Sequence, residues 1–330
     1  MMGVYNGASL VRETVESLLH QEGVTIELIA INDGSTDKSG NILEEYAARD
    51  LRVRVIHQEN QGLTRALIRG CAQARASYIA RQDVGDSSHP QRLRLQKEAL
   101  DADPELAFVS CWTDFCGPEW EFLYCMKGTG RAFLPANIIS ESEKHGVIDG
   151  PSSHASVMFR TDSYKRAGGY RAEFRCGQDW DLWYRLAEVG KFQMIEQALH
   201  KARLVPNSIS SYNKLEQTTA GELSREALLL RRRGASEEDV LDRARRIPRN
   251  HAPHHASKAQ AAWLYFIGEC LRRNDDSRAL DYLWKSVRVH PLMIKSWVKI
   301  LELSIRPRKP SVKSDTPHTE GRPRRAAPTS

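Results

Sequence analysis

The sequence predicts an α/β fold in which a mostly parallel sheet is flanked by helices and followed by an all-helical C-terminal appendage. Up to about residue 215, short apolar runs of β type alternate with stretches of helical period. Repeated alternation of that kind implies a parallel, right-handedly wound sheet. Beyond residue 213 only the helical period remains. The third observation is the placement of acidic residues: Asp33, and the pair Asp83 and Asp86, follow strand-like runs, and Asp179 opens a helical one. A wound sheet collects such positions in one crevice at the carboxyl ends of its strands. Carboxylates gathered there point to metal–diphosphate chemistry with one acid left over as a base.

Each element has its own reason. Leu10, Val11, Val15, Leu18 and Leu19 mark one face of a first helix. Residues 26–32 form a compact apolar strand that ends at the turn-forming Asp33-Gly34-Ser35. Thr36 or Asp37 can then cap a helix through Arg49, because either side chain accepts from the free amides of its first turn. A strand is expected over 52–57, then Gly62 and a helix over about 63–74. Residues 78–80 lead into Asp83, and Pro90 suits the first turn of the following helix. Another strand spans 107–112, whereas 113–150 has Gly, Pro and aromatic residues without a period and reads as irregular. Residues 156–159 form a strand, and Thr161 or Asp162 caps a short helix that Gly168-Gly169 ends. Leu182, Leu186 and Val189 carry a helix from Asp179 to Gly190. In the appendage, the helical pair 259–272 and 277–290, with Trp263, Gly268, Ala279, Leu283 and Pro291, is similar to one tetratricopeptide-like repeat. One repeat is too few for a solenoid, which needs about three. The expected units are 1–215, 216–304 and a basic tail, 305–330.

Composition narrows the partners. Apolar residues make up 41% and charged ones 27% of 330, an ordinary globular mix. No apolar run approaches the roughly 20 residues of a membrane-crossing helix. Met1-Met2-Gly3-Val4-Tyr5-Asn6 lacks the basic and apolar regions of a signal peptide, so a cytoplasmic protein is expected. The net charge of +6 is concentrated at one end: residues 306–330 hold seven Lys or Arg and two Asp or Glu, leaving 41 basic against 40 acidic residues before them. A nearly neutral body argues against a nucleic-acid partner. The tail reads as a disordered end, either solubilising or in weak contact with anionic headgroups at the inner face of a membrane. Six cysteines form no Cys-x-x-Cys pair, so reduced thiols near the core are expected rather than a zinc site. His251, His254 and His255, beside Pro253, read as a solvated linker.

Val4-Tyr5-Asn6-Gly7, Asn32-Asp33-Gly34-Ser35-Thr36-Asp37, Asn60-Gln61-Gly62-Leu63, Ala80-Arg81-Gln82-Asp83, Gly168-Gly169-Tyr170 and Gln178-Asp179-Trp180-Asp181-Leu182-Trp183 occur in an order and spacing that resembles the family 2 glycosyltransferases, over roughly residues 3–210. The resemblance implies a GT-A fold, inverting transfer from a nucleotide-diphosphate sugar to a glycan or lipid-linked acceptor, and a divalent cation, Mg²⁺ or Mn²⁺. It implies that Tyr5, Asn6 and Asp33 line the base pocket, with Asp33 accepting from a uracil or guanine ring N–H. Asp33 can equally cap its own loop as an Asx turn. Arg65, soon after Gly62, either approaches phosphate, where a guanidinium binds two oxygens, or lies on a solvated face. Asp179 answers to the catalytic base, and the same position also suits a helix N-cap. Asp181 then supports the helix start through its dipole. His154 falls at the acceptor-side wall, where it either binds an acceptor hydroxyl or sits satisfied in the interior. Trp180 and Trp183 either stack on sugar or belong to the core, and for Trp183 the core reading is preferred.

Two departures from the family pattern stand out. Typical members read Asp-Ala-Asp-Asp where this chain has Asp83-Val84-Gly85-Asp86, so Asp86, with Asp83, is expected to hold the metal–diphosphate, and Asp83 to reach ribose or a metal-bound water. One or two carboxylates suffice when phosphate supplies the other ligands. The chain also begins immediately before the Val-Tyr-Asn loop, where the family has a hydrophobic strand. The first strand is therefore expected to be missing or truncated, leaving neighbouring backbone groups unpaired, with the recorded start downstream of the real one or the chain a fragment. The expected function is sugar transfer in surface polysaccharide biosynthesis. The alternative is a catalytically impaired nucleotide-sugar-binding protein that interacts through its helices, favoured by Gly85 and opposed by the intact Gln178-Asp179. A nucleotidyltransferase is a distant third, because no Gly-rich, basic phosphate loop stands near the amino terminus.

Overall fold

The structure, a computed structural model, describes residues 1–127, 150–205, 214–248 and 256–305. The histidine cluster at 251–255, most of the stretch expected to be irregular, and the basic tail lie outside the described residues.

Three parallel strands open the chain. β1 (Met2–Val4), β2 (Leu28–Asp33) and β3 (Val53–Gln58) pair in that order, with Met2 opposite Ala30 and Ala30 opposite Val55. All six residues of β2 are buried, as a nearly continuous apolar run predicts for a parallel strand covered on both faces. Alternate side chains serve opposite faces. Leu28 and Ala30 pack with Val11, Val15 and Leu18 of α1 (Val11–Leu19) and with Ile42 and Leu43 of α2 (Ser39–Arg49), whereas Ile29 and Ile31 pack on Ala66 of α3 (Leu63–Ala72). Neither Thr36 nor Asp37 is the N-cap of α2, which is Lys38 without a side-chain cap bond, but Asp37 Oδ1 accepts from the Ser39 amide at 2.9 Å.

The first strand, expected to be missing or truncated, is present with three residues. Its neighbours are paired in part: the Met1 backbone N donates to Ala80 O (2.9 Å) and Met1 O accepts from the Gln82 amide (3.1 Å), which ties β1 to β4 (Tyr78–Ala80). Past that point the strand stops short of Leu28, and a cavity of about 270 Å³ lies between β2 and β4, lined in part by Met1, Ile26, Leu28, Tyr78 and Met158.

The second sheet runs β4-β8-β6-β9-β5, with β7 paired to β6. Its elements are β5 (Ser87–Ser88), β6 (Leu106–Cys116), β7 (Phe122–Met126), β8 (Met158–Arg160) and β9 (Lys191–Arg203). Among the described residues only β6 and β9 pair in parallel in this sheet, and the other four pairings are antiparallel. Parallel winding thus holds for the first half of the domain and gives way to a mixed second half. Several elements escaped the sequence reading, β7 and β9 the longest strands among them. Residues 113–127 are not irregular but continue β6 and return as β7, turning where the Gly117 amide donates to Glu121 O. The 13-residue β9 has Phe192 and Met194 in alternation, then Glu196 and Gln197, and its pairing shifts register around Trp112, so no period of two survives along it.

Helices α4 (Arg92–Ala102), α5 (Thr161–Arg166) and α6 (Gln178–Val189) cover this sheet, with Leu182, Leu186 and Ala187 of α6 packed on Phe108 and Phe192. The appendage comprises α7 (Lys214–Arg232), α8 (Glu238–Arg245), α9 (Ala256–Arg273), α10 (Ala279–Val289) and α11 (Ile294–Ile305). It packs on the main body in two places. Ala220, Leu223, Val240 and Ile247 enclose Phe174, and Leu264, Ile267 and Leu271 enclose Leu123 of β7. At the second contact the Tyr282 hydroxyl donates to the buried Glu121 at 2.6 Å. Gly268 has a packing role: a Cβ there would lie 2.9 Å from Leu283 Cγ, so glycine lets α9 and α10 approach. All six cysteines are free thiols.

Candidate active site

The loops that leave β1, β2 and β3 interlock at the carboxyl ends of those strands. Asn6 adopts a left-handed backbone (φ 50°), which Asn tolerates, and its Oδ1 accepts from the Thr36 amide at 2.8 Å. The Asn6 amide in turn donates to Ser35 Oγ, the Gly7 amide to Ser39 Oγ, and the Ala8 amide to Asp37 Oδ2. Asn6, expected at the base pocket, therefore acts here as a clamp between two loops. Tyr5 beside it is 56% exposed. Asp33 is buried, and its carboxylate accepts from Gln58 Nε2 (2.6 Å) and from the amides of Gln61 (2.9 Å) and Gly62 (2.8 Å). These bonds fix the loop into α3. An ionised carboxylate offers about four acceptor positions, so one remains. Arg65, on the first turn of α3, is exposed and has no partner among the described residues.

Farther along, β4 delivers Arg81 and Asp83. The Arg81 guanidinium is fully buried, donates to Gln82 O and pairs with Asp83 Oδ1, and its Nε has no partner among the described residues. Burial pushes the Asp83 carboxyl up, but the charge and the hydrogen bond of Arg81 outweigh it, and the net direction is down. His154, on the short 3₁₀ turn His154–Ser156, is bonded through Nε2 to the Tyr170 hydroxyl at 2.7 Å. Burial, reinforced by Arg81, lowers its pKa to about 3, so the ring is neutral at working pH. Its reach toward an acceptor is limited to Nδ1.

Asp179 completes the group. It is the second residue of α6, after a Gly177 N-cap whose φ of 65° glycine accommodates. It is not the N-cap, although its Oδ1 accepts from the Trp180 amide at 3.0 Å. Burial, and then the neighbouring charge of Asp83, raise its pKa to about 6, against the opposing pull of that amide and of Arg81. Arg81, Asp83 and Asp179 thus feel one another's charges beside the neutral His154, which brings together acids 96 positions apart in the sequence. Asp181 does more than favour the helix dipole: fully buried, it pairs with Arg185 one turn on and lies 3.6 Å from Arg171. Trp183 is core, while Trp180 is half-buried and stands edge-on to it with ring centroids 5.0 Å apart. Its face is thus only partly open for an acceptor.

Asp86 departs furthest from expectation. It is buried, its Oδ2 takes a bond from His200 Nε2 (3.0 Å), and its Oδ1 takes one from the Arg203 amide (3.0 Å). Burial and the charge of Asp83 hold its carboxyl well above the usual range, while burial and Arg92 keep His200 neutral. Asp86 is therefore a structural tie between the β4–β5 loop and β9. Gly85, at φ 100°, carries no ligand, and its amide donates to Thr14 Oγ1. Only Asp83 remains for a divalent cation, and the Arg81 guanidinium already opposes its charge. Among the described residues no group of three His, Cys, Asp or Glu could hold a metal ion. A cation here would meet one carboxylate, already paired with Arg81, in place of two, so the Asp83–Asp86 site expected from the sequence is not formed.

Arg81, Arg92, Tyr170 and His200 were not singled out from the sequence. Arg81 and Tyr170 lie inside quoted motifs, and only the tertiary structure shows that they are buried against the acids. His200 is 114 residues from its partner Asp86 and gives no local signal.

Comparison with known proteins gives consistent results. The sequence model described as glycosyl transferase family 2 matches residues 1–164. The chain is 32% identical over 216 residues to the putative glycosyltransferase EpsE of Bacillus subtilis (strain 168), covering 62% of this chain and 71% of EpsE. It is 44% identical over 225 residues to the uncharacterized glycosyltransferase EpsJ of the same organism, covering 63% of this chain and 61% of EpsJ. In fold it is similar to S. aureus TarS 1-349 in complex with UDP-GlcNAc, with a TM-score of 0.54 at 15% identity over 91% of this chain and 88% of that one.

Proposed function

The chain belongs to the family 2 glycosyltransferases, with the GT-A fold, and from that premise we propose that it transfers a sugar, with inversion, from a nucleotide-diphosphate sugar to a glycan or lipid-linked acceptor in surface polysaccharide biosynthesis. The observation that carries this reading is Asp179: a carboxylate with a pKa of about 6, at the start of a helix that opens onto the crevice beside Asp83 and Arg81. A base is most useful when its pKa lies near the working pH. As the acceptor oxygen attacks the anomeric carbon, its proton passes to Asp179. The bond between that carbon and the phosphate oxygen breaks on the opposite face, and the diphosphate leaves with the bonding pair.

The remaining roles follow from the loops. Tyr5 stacks on the base, and Asp33 offers its one free acceptor position to a ring N–H while holding the Gln61-Gly62 turn. Arg65, exposed and unpaired among the described residues, meets the diphosphate. Asp83 takes the ribose, and His154 and Trp180 border the acceptor. TarS binds UDP and UDP-GlcNAc, which makes uridine donors the first to test here.

Enzymes of this family commonly use a divalent cation. Gly85 and the commitment of Asp86 argue that this chain binds its donor without one. Titration calorimetry of nucleoside diphosphates is expected to give affinities within about twofold in EDTA and in Mn²⁺, whereas a bridging cation would make them differ by an order of magnitude or more. A strict Mn²⁺ requirement would overturn this.

The same features favour a second reading, a nucleotide-sugar-binding protein without catalysis. Release of nucleoside diphosphate from UDP-, GDP- and dTDP-sugars, with candidate glycan and lipid-linked acceptors, separates the two. Turnover of one donor is expected. Tight donor binding with no turnover under any acceptor would move the assignment to the binding protein.

A further inference from the structure

The last helix, α11, carries an apolar stripe on the face turned away from the protein. Ser296 and Ile300 are buried: Ser296 Oγ meets Ser286 Oγ at 2.8 Å, and Ile300 packs on Leu283 and Val287. Residues 294, 297, 298, 301 and 305 fall on the opposite face at helical spacing, and they are Ile, Trp, Val, Leu and Ile. Ile294 is 73%, Leu301 59% and Ile305 79% exposed. Trp284 of α10 extends the surface, edge-on to Trp297 with ring centroids 5.5 Å apart. Isolated exposed apolar residues are ordinary, but a contiguous face of them marks an interaction surface.

Two features identify what covers it. Exposed tryptophans suit the boundary between headgroups and acyl chains, and beside the stripe Lys295 is exposed while Lys299 pairs with Glu302 at 2.8 Å. The sequence that follows, 306–330, has a net charge of +5, whereas the rest of the chain is nearly neutral. A second copy of this chain on the same face would bring two such segments together, at a cost in repulsion. An anionic bilayer would attract both the segment and the stripe.

We propose that α11, with Trp284, lies flat on an anionic lipid surface with its apolar stripe in the interface. This deepens the peripheral contact expected from the tail and does not depend on the identity of the donor. Stable attachment of a peripheral protein takes two signals, and this end of the chain supplies an apolar face and a polybasic one. Among the described residues no helix is long and apolar enough to cross a membrane, so the contact is one of lying on the surface.

Flotation of the full chain with vesicles of phosphatidylcholine, with and without phosphatidylglycerol, tests it. Wild type is expected to float with the anionic vesicles only, with a blue shift in tryptophan emission. Leu301→Glu combined with Ile305→Glu is expected to weaken binding by about tenfold or more, while nucleoside-diphosphate affinity stays unchanged. Three results would overturn the proposal: no flotation of wild type; flotation unaffected by the double substitution but lost on neutralising Arg306, Arg308 and Lys309, which leaves the tail as the sole contact; or a wild-type dimer that the double substitution dissociates, which assigns the face to a second copy.

Discussion

Asp179→Asn lowers turnover by about 10²- to 10⁴-fold while donor affinity stays within a few-fold of wild type, the range expected when a positioned base is lost. The substitution keeps the size of the side chain and the oxygen that accepts from the Trp180 amide, so the start of α6 is preserved. What disappears is the capacity to take the acceptor proton. In wild type, kcat/KM rises as pH rises through about 6, because Asp179 must be ionised to act, and the neighbouring His154, neutral above about 3, adds no second rise in that window. The Asn variant should lose that limb along with the rate.

The same shift gives a second readout that separates loss of chemistry from loss of fold. The folded Asp179 carboxyl holds its proton to higher pH than an unfolded one, which titrates near 4. Its contribution to stability is therefore fully present below about pH 4 and is lost as pH rises through about 6. At pH 7 the half-buried charge costs the fold on the order of 2 kcal/mol. Asp179→Asn removes that cost, so the inactive variant should unfold at higher denaturant concentration than wild type at pH 7 and show no gain at pH 4. A variant both inactive and less stable at pH 7 would refute the assignment of burial as the cause.

Much of this site is legible in the sequence because its parts lie at the ends of periodic elements. The strand read over 26–32 is observed over Leu28–Asp33, ending on Asp33, and the helix read from Asp179 runs from Gln178 to Val189 with Gly190 as its C-cap. What local pattern cannot show is which lone pairs are already taken. Asn6 and Asp86 have the residue types of ligands, yet the Thr36 amide claims one and His200 with the Arg203 amide claims the other. Those claims depend on contacts across 30 and more than 100 positions. For the same reason β9 went unread: it pairs with β6 around a shifted register, so its burial is set by its neighbour and not by its own alternation. Gly85, by contrast, is a local sign that the acidic loop departs from the family pattern, and the tertiary structure adds that Asp83 beside it pairs with the buried Arg81 guanidinium.

Arg92→Met destabilises the protein by about 3–5 kcal/mol, the cost of removing one partner from a buried charged network. Arg92 is fully buried on α4, where its Nη2 donates to Arg81 O and Ala155 O, its Nη1 to Gln82 Oε1 and Ser88 Oγ, and its Nε to Gln96 Oε1. A methionine fills much of the volume but donates nothing, so two carbonyls and three side-chain oxygens lose a donor in the interior. Because Arg81 O and Ala155 O flank Asp83 and His154, the loss should spread to the site, slackening the loop that holds Asp83 before the sheet melts. The expected midpoint falls by roughly 10 °C in a domain of this size, with an unchanged denaturant slope. Arg92→Lys should recover little of it, since one ammonium cannot reach acceptors that a planar five-donor fork serves together. A loss below about 1 kcal/mol for Arg92→Met would mean that the surrounding acceptors find other donors, and that the network is not what joins β4, β5 and the 154–156 turn.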